Sequence, residues 1–243
     1  MSIRFDGVSK SFGDKKVLRD FSFEVRKGEI LFILGKSGMG KSVILKHIVG
    51  MLKPDSGHVW VDGEDVTGLD ATGLSKIRRK CGMVFQQPAL LDSLTVFENI
   101  AFGLRMQHYA EAEIRRIVAE KLALVHLERD ILSKLPSAIS YGMQKRVSLA
   151  RTLAPEPAFL LFDEPTTGLD PITTHAVNDL ILELSRRLRV TSAVVSHDMG
   201  CALKAADRIL VLDQARILAF GTVAQIKQSE EPLIRDFLKE ALE

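Results

Sequence analysis

One passage constrains the fold of this 243-residue chain more than any other: EILFILGKSGMGKSVILKHIVGML, residues 29–52. EILFILG is a nearly continuous apolar run closed by glycine, as expected of a strand buried on both faces of a parallel sheet. The next stretch, GKSGMGKS, fits G-x-x-x-x-G-K-[ST] and leads into an apolar-periodic segment that reads as a helix. Glycines let the backbone curl so that several N–H groups face one point, and the helix N-terminus adds positive potential there. The spacing assigns Gly35, Lys36, Ser37, Gly38, Met39, Gly40, Lys41, Ser42 and Val43 to a phosphate-binding loop. Lys41 is expected to reach the terminal phosphates and Ser42 to hold magnesium, while the Lys36 side chain is expected in solvent. A plain Gly-rich turn would also fit the loop alone, but strand, loop and helix in this order favour the phosphate cradle.

Two more passages end in the same manner. PAFLLFDEP (157–165) and VTSAVVSHD (190–198) are buried-strand runs that finish in polar residues. Parallel strands of this kind deliver those groups to the carboxyl edge of the sheet, where open α/β sheets bind ligands. Side chains alternate along a strand, so adjacent Asp163 and Glu164 need not share a task. Asp163 suits support of a magnesium ion through its water shell, and Glu164 suits polarising an attacking water. Phosphoryl transfer depends mainly on positioning and charge stabilisation, and these residues are a minimal kit for it. An acidic strand end before proline is common, and the loop upstream is what gives this one meaning. His197 alone would read as a structural hydrogen-bonder; beside the other parts it reads as a sensor of the γ-phosphate.

The rest of the chain fits around these strands. IRFDGVSKSFGDKKVLRDFSFEVRKGE alternates apolar and polar residues and breaks at Gly13-Asp14, predicting strand–turn–strand, and HVWVDGEDV (58–66) predicts a short strand with a turn at Asp62-Gly63. Between Leu94 and Leu153 the pattern turns helical, with Ile114, Ile117, Val118, Leu122 and Val125 on one face. After Pro171 a second amphipathic stretch carries Val177, Leu180, Ile181, Leu184 and Leu188, and PLIRDFLKEAL opens with a proline suited to a first helical position. The expected organisation is one domain: an α/β nucleotide-binding core at 1–88 and 157–243, with a helical subdomain at 89–156 between them. A net charge of +2 without a basic run gives no support for nucleic-acid binding. Cys81 and Cys201, far apart and outside any CxxC, read as small apolar fillers in a reducing compartment. MSIRFDGVSK lacks the apolar stretch of a secretory signal, and no apolar run approaches the roughly 20 residues that cross a bilayer. The chain is expected to be soluble, with any membrane connection made through a partner.

ISYGMQKRVSLARTLAPEPAFLLFDEPTTGLDP, residues 139–171, closely resembles the signature, Walker B and D-loop block of ABC ATPases, and with GKSGMGKS upstream and SHD downstream the resemblance covers essentially the whole chain. It implies a P-loop NTPase core sheet, mostly parallel, with an N-terminal antiparallel β-subdomain and a helical insert. It also implies roles. Phe12, in KSFG, matches the aromatic that stacks on adenine. Gln86, in MVFQQP, matches the glutamine that reaches magnesium in the loop facing the membrane subunit, although Gln87 stands beside it. Ser140 and Gly142 match signature residues that contact the γ-phosphate of the opposite subunit's ATP. Gly168, Leu169 and Asp170 match the D-loop, His197 the switch histidine and Glu164 the catalytic glutamate. The implied partners are ATP, magnesium, a second copy of the chain and a separate integral membrane permease, with the ATPase at the cytoplasmic face of the inner membrane. The signature departs from Leu-Ser-Gly-Gly: tyrosine stands at 141, adding bulk and removing freedom to adopt positive φ. Restoring glycine there is expected to leave hydrolysis equal or raised.

Within the family, ALLDSLTVFENIAFGLR, LDPITTHAVNDLILEL and EEPLIRDFLKEALE look like ATPases that serve phospholipid transporters with mammalian-cell-entry (Mce) domain proteins, the Mla type. An Mce-domain substrate-binding protein is then a further candidate partner. Importers of amino acids and other polar solutes share most of this wording and form the alternative. Soluble ABC ATPases that act on DNA or ribosomes usually carry long coiled-coil insertions or two cassettes, and this chain has neither. A non-hydrolysing scaffold, suggested only by Tyr141, is opposed by Glu164 and His197.

Overall fold

The computed structural model describes residues 2–242. Strands β1 (Ile3–Phe12) and β2 (Lys15–Val25) form a hairpin with Phe12 opposite Lys15. β3 (Ile30–Leu34) runs into the phosphate-loop segment and α1 (Lys41–Ile48), and then come β4 (Ser56–Val61), β5 (Glu64–Asp65), α2 (Ala71–Lys80) and β6 (Cys81–Val84). Three helices come next: α3 (Val96–Met106), α4 (Glu111–Leu124) and α5 (Tyr141–Leu153). The chain then returns through β7 (Phe159–Asp163), α6 (Pro171–Leu188), β8 (Thr191–Ser196), α7 (Met199–Ala205), β9 (Arg208–Asp213), β10 (Arg216–Thr222), α8 (Val223–Lys227) and α9 (Pro232–Leu242).

Two sheets result. The smaller is antiparallel, in the order β2-β1-β4-β5. The larger has the order β10-β9-β3-β8-β7-β6, in which every pairing is parallel except that of β10 with β9. The α/β class expected from sequence, with its antiparallel sheet and mostly parallel sheet, is the architecture found.

The period-2 rule divides the large sheet's side chains between two cores. Leu31, Ile33, Phe159, Leu161, Ala193 and Val195 pack with α1 and the antiparallel sheet. Phe32, Leu34, Leu160, Phe162 and Val194 face the other way, into a core shared with α3 to α7. The helices between β6 and β7 therefore have no core of their own; their apolar stripes continue that of the sheet. Ile114, Ile117, Val118, Leu122 and Val125 are all buried, as the periodicity predicts. Leu188 departs from it: α6 ends there, Arg189 turns left-handed, and Leu188 is exposed. Both cysteines are free, and burial pushes each thiol up to about 12, so they stay protonated. Among the described residues no helix is long and apolar enough to cross a membrane.

The topology decides where the chemistry falls. β3, β8 and β7 are neighbours and parallel, so their carboxyl ends share one edge. The segments carrying Gly35–Ser42, His197 and Asp163–Glu164 all leave from that edge.

Candidate active site

The loop after β3 is shaped by two glycines. A Cβ on Gly35 would lie 2.8 Å from the carbonyl oxygen of Leu212, and one on Gly40 would lie 2.4 Å from Val17 Cγ1. Gly40 also has φ 93°, a left-handed conformation that L side chains adopt only under strain. Lys36, Ser37 and Gly38 are exposed, and Met39 and Val43 are half-buried. Lys41 is only 4% exposed. Its Nζ curls back to donate to the carbonyls of Gly35 (2.8 Å) and Lys36 (3.1 Å), and it lies 3.3 Å from Glu164 Oε1. The cradle thus encloses one cation held by groups that an anion of higher charge would replace.

Ser42 Oγ donates to Asp163 Oδ1 at 2.6 Å, joining the first turn of α1 to the last residue of β7. Glu164 comes next in a left-handed conformation, φ 46°, with its N–H donating to the carbonyl of Val195 at 3.0 Å. That turn sets its carboxylate among three partners: Lys41, the Thr167 hydroxyl, which donates to Oε2 at 3.2 Å, and His197 Nδ1, 3.9 Å from Oε2. His197 is two-thirds exposed and free to meet a ligand. A hydroxyl and a carboxylate in contact form a hard-oxygen pair suited to magnesium, which takes few protein ligands and leaves its other positions to water and phosphate oxygens. Among the described residues no group of three or more His, Cys, Asp and Glu offers a self-sufficient metal cage.

Lys41, Ser42, Asp163, Glu164 and His197 are thus brought together beside the rest of the loop, while the sequence-predicted Phe12, Gln86, Ser140, Gly142 and Asp170 stand elsewhere. Phe12, at the end of β1, is 47% exposed, with Lys10 Nζ 5.7 Å from its ring centre. A small hollow of about 250 Å³ beside the loop tip is lined by Lys15, Lys16, Gly38 and Met39. Gln86 and Gln87 are exposed, and Gln86 enters the hydrogen-bond network through its carbonyl, which accepts from Lys145 Nζ. Ser140 caps α5, its hydroxyl accepting from Met143 N–H at 3.3 Å. Gly142 lies so close to α6 that a Cβ would meet Thr173 Cγ2 at 2.9 Å. Asp170 caps α6, and its hydrogen bonds from Thr173 hold its carboxyl below the usual range. Ser140, Tyr141, Gly142, Gly168, Asp170 and Thr173 line a notch of about 450 Å³ to which residues 35–42 contribute nothing. Sequence reasoning missed Val17, Thr167 and Lys145. Thr167 meets Glu164 through a local turn three residues on, whereas Val17 and Lys145 are brought to Gly40 and Gln86 only by the fold.

The ABC transporter family profile matches residues 18–167. The chain is 40% identical over 240 residues to the probable ribonucleotide transport ATP-binding protein mkl of Mycobacterium tuberculosis, covering 98% of this chain and 66% of that protein, just under two thirds of its length. It is 40% identical over 228 residues to the intermembrane phospholipid transport system ATP-binding protein MlaF of Haemophilus influenzae, covering 93% of this chain and 86% of that one. It is 40% identical over 224 residues to the methionine import ATP-binding protein MetN of Carboxydothermus hydrogenoformans, covering 92% and 66%. Among solved structures it resembles the dimeric post-hydrolysis state of the ATP-binding cassette MJ0796 bound to ADP and Pi, with a TM-score of 0.82 and 32% identity over 91% of this chain and 98% of that one.

Proposed function

The chain belongs to the ABC transporter family, and from that premise we propose that it is the subunit that binds and hydrolyses ATP to drive a separate membrane permease. The observation that carries this reading is the meeting of Lys41, Ser42, Asp163 and Glu164 within hydrogen-bonding or ion-pairing distance at one sheet edge. Lys41 exchanges the loop carbonyls and Glu164 for phosphate oxygens, which are stronger, charge-assisted partners. The exchange frees the Glu164 carboxylate to orient and polarise a water, with Thr167 keeping its aim. His197, beside Glu164, meets the γ-phosphate. Ser42, Asp163 through the water shell, and Gln86 are the residues that would hold magnesium, which when bound would supply charge to offset that of the phosphates. The exposed Phe12 ring serves as the adenine platform; Phe5, the other aromatic of β1, is buried and stacked on Phe23 at 4.6 Å.

A notch holding Ser140 and Gly142 apart from the chain's own phosphate loop supports a shared site. Each copy of a homodimer offers its loop to one ATP and its signature to the other, with 89–156 as the lobe that carries the signature. The MJ0796 cassette is itself dimeric with ADP and Pi bound. For cargo we favour phospholipid of the Mla/Mce type, on the MlaF likeness and the wording of 89–105 and 169–184, with the ATPase at the cytoplasmic face of the inner membrane. Equal identity to mkl and MetN supports a polar-solute importer as the second reading. Purification of the tagged chain with its membrane partners, and mass spectrometry of what is bound, tests the choice. An Mce-domain protein and bound phospholipid support the first reading. A partner that binds an amino acid or nucleotide overturns it and leaves the ATPase assignment standing.

A further inference from the structure

Helix α5 begins with the signature residues and lies against the end of β6. The approach is so close that a Cβ on Gly82 would meet Thr152 Cγ2 at 2.6 Å. From this helix two cations reach the main chain beyond β6. Lys145, 3% exposed, donates to the carbonyl of Gln86. Arg151 donates to the carbonyls of Ala89 (2.8 Å) and Pro88 (3.4 Å). Among the described residues neither cation has an acidic partner within ion-pair distance. Burial alone pushes the Lys145 amine down to about 8 and lowers the Arg151 guanidinium as well. Burying Lys145 and half-burying Arg151 without counter-charges is unfavourable, and apolar residues of similar length would serve packing alone better. Among the described residues the hydrogen bonds of the two head groups all go to three carbonyls of one four-residue segment. That segment includes Ala89 at φ 50°, a conformation a non-glycine residue keeps only when held.

We propose that Lys145 and Arg151 are positioning residues that clamp the Gln86–Ala89 main chain to the signature helix, so that the segment carrying Gln86 and the helix end carrying Ser140 and Gly142 move as one body. The proposal rests on the hydrolytic reading above and adds to it a mechanical link. When the signature end engages a nucleotide in the facing copy, the displacement reaches Gln86 and the exposed Phe85 and Leu91 beside it. Tyr141 completes the arrangement: its ring lies 5.5 Å from Lys145 Nζ, and a Cβ on Gly168 would sit 3.8 Å from its Cε1. It shields the buried amine on one side and walls the D-loop on the other, which a glycine at 141 could not do.

The full chain with Lys145→Met and Arg151→Met keeps the aliphatic stems and loses the head groups. Mg-ATP affinity of the isolated chain and KM should stay within about threefold of the parent. The kcat for phosphate release should fall about tenfold or more in the double variant, and Lys145→Arg should recover at least half of the Lys145→Met loss. A folded double variant with kcat within twofold of the parent overturns the clamp, as does an equal loss of kcat and ATP affinity. Glu164→Gln is assayed alongside. If it is inactive while the clamp variants are not, only the clamp fails; if it hydrolyses normally, the hydrolytic reading fails. In that case, or if the double variant does not fold, amide exchange on the parent decides. Residues 86–89 and 140–146 should change protection together on adding Mg-ATP, and a change in one without the other overturns the link.

Discussion

Glu164→Gln separates chemistry from architecture more cleanly than any other change at the site. The amide has the carboxylate's shape, and the φ of 46° with its N–H bond to Val195 is set by the backbone, so the side chain leaves from the same place. Glutamine can still accept from Thr167 and Lys41. The loss is one charge 3.3 Å from Lys41 Nζ. The gross attraction at that distance is about 5 kcal/mol at an effective dielectric of ~20. Glu164 is partly solvated and Lys41 keeps two carbonyl partners, so the net effect on folding should be about 1 kcal/mol or less, as for partly exposed pairs generally. Hydrolysis should respond far more, because loss of one group that assists proton transfer typically lowers rate by about 10²–10⁴-fold, or roughly 3–5 kcal/mol of barrier.

The assay tracks phosphate release and Mg-ATP binding in parallel, with light scattering to read assembly. Binding should survive, phosphate release should fall steeply, and the unhydrolysed nucleotide should shift the chain from monomer towards dimer. Mg-ADP should do so less, since it lacks the γ-phosphate, and a bulky replacement of Ser140 should abolish the dimer. Phosphate release within threefold of the parent removes Glu164 from the mechanism. An inactive variant that stays monomeric, alone and with its membrane partner, leaves the active site standing and sinks the shared-nucleotide dimer.

Lys41→Ala should weaken ATP binding by about 10- to 100-fold, since hydrogen bonds to charged groups are worth roughly 1.5–3 kcal/mol; calorimetry showing parental affinity rejects the phosphate-loop role. Phe12→Ala should weaken ATP and GTP alike by about 1–3 kcal/mol, the range for stacking on a base, and should leave thermal stability unchanged because the ring is half exposed. Unaltered nucleotide affinity moves the adenine platform away from the β1–β2 hairpin. Tyr141→Gly, which from sequence alone should leave hydrolysis equal or raised, should instead lower kcat severalfold, because it uncovers Lys145 and widens the notch opposite Gly168. ATP binding by the isolated chain should not change, and a kcat at or above the parent's restores the expectation from sequence.

The strands and the phosphate loop were legible because their patterns have single physical meanings. A five-residue run buried at every position, such as β3, has no amphipathic alternative, and the glycines after it exclude a continuing helix. Nothing comparable announces α2: in ATGLSKIRRK only Ile77 is buried, and the helix is stabilised by the Asp70 cap and by its contact with the sheet. The candidate site residues could be named one by one from sequence, but their mutual geometry could not. That Asp163 touches Ser42, and that Glu164 lies between Lys41 and His197, depends on β3, β8 and β7 lying side by side in an order unlike that of the sequence. Lys145 and Arg151 could not be found by pattern, because a lysine or arginine on a helix usually marks a solvated face.

The signature segment is where pattern and structure bear on each other most closely. Ser140 and Gly142 each have a reason within one chain: the hydroxyl caps α5, and the glycine lets α5 and α6 approach at Thr173. Their presence alone therefore does not require a nucleotide. A lone chain leaves unexplained the notch between those helix ends, walled by Tyr141 and Gly168, to which the chain's own phosphate loop contributes no residue. Ser140 Oγ takes the Met143 N–H of the first turn of α5, and an anion brought there by a second copy would meet the first-turn N–H groups that helix geometry leaves without intrahelical acceptors. Because α5 also carries the cations that hold residues 86–89, the proposed clamp would carry the arrival of that anion to the Gln86 segment.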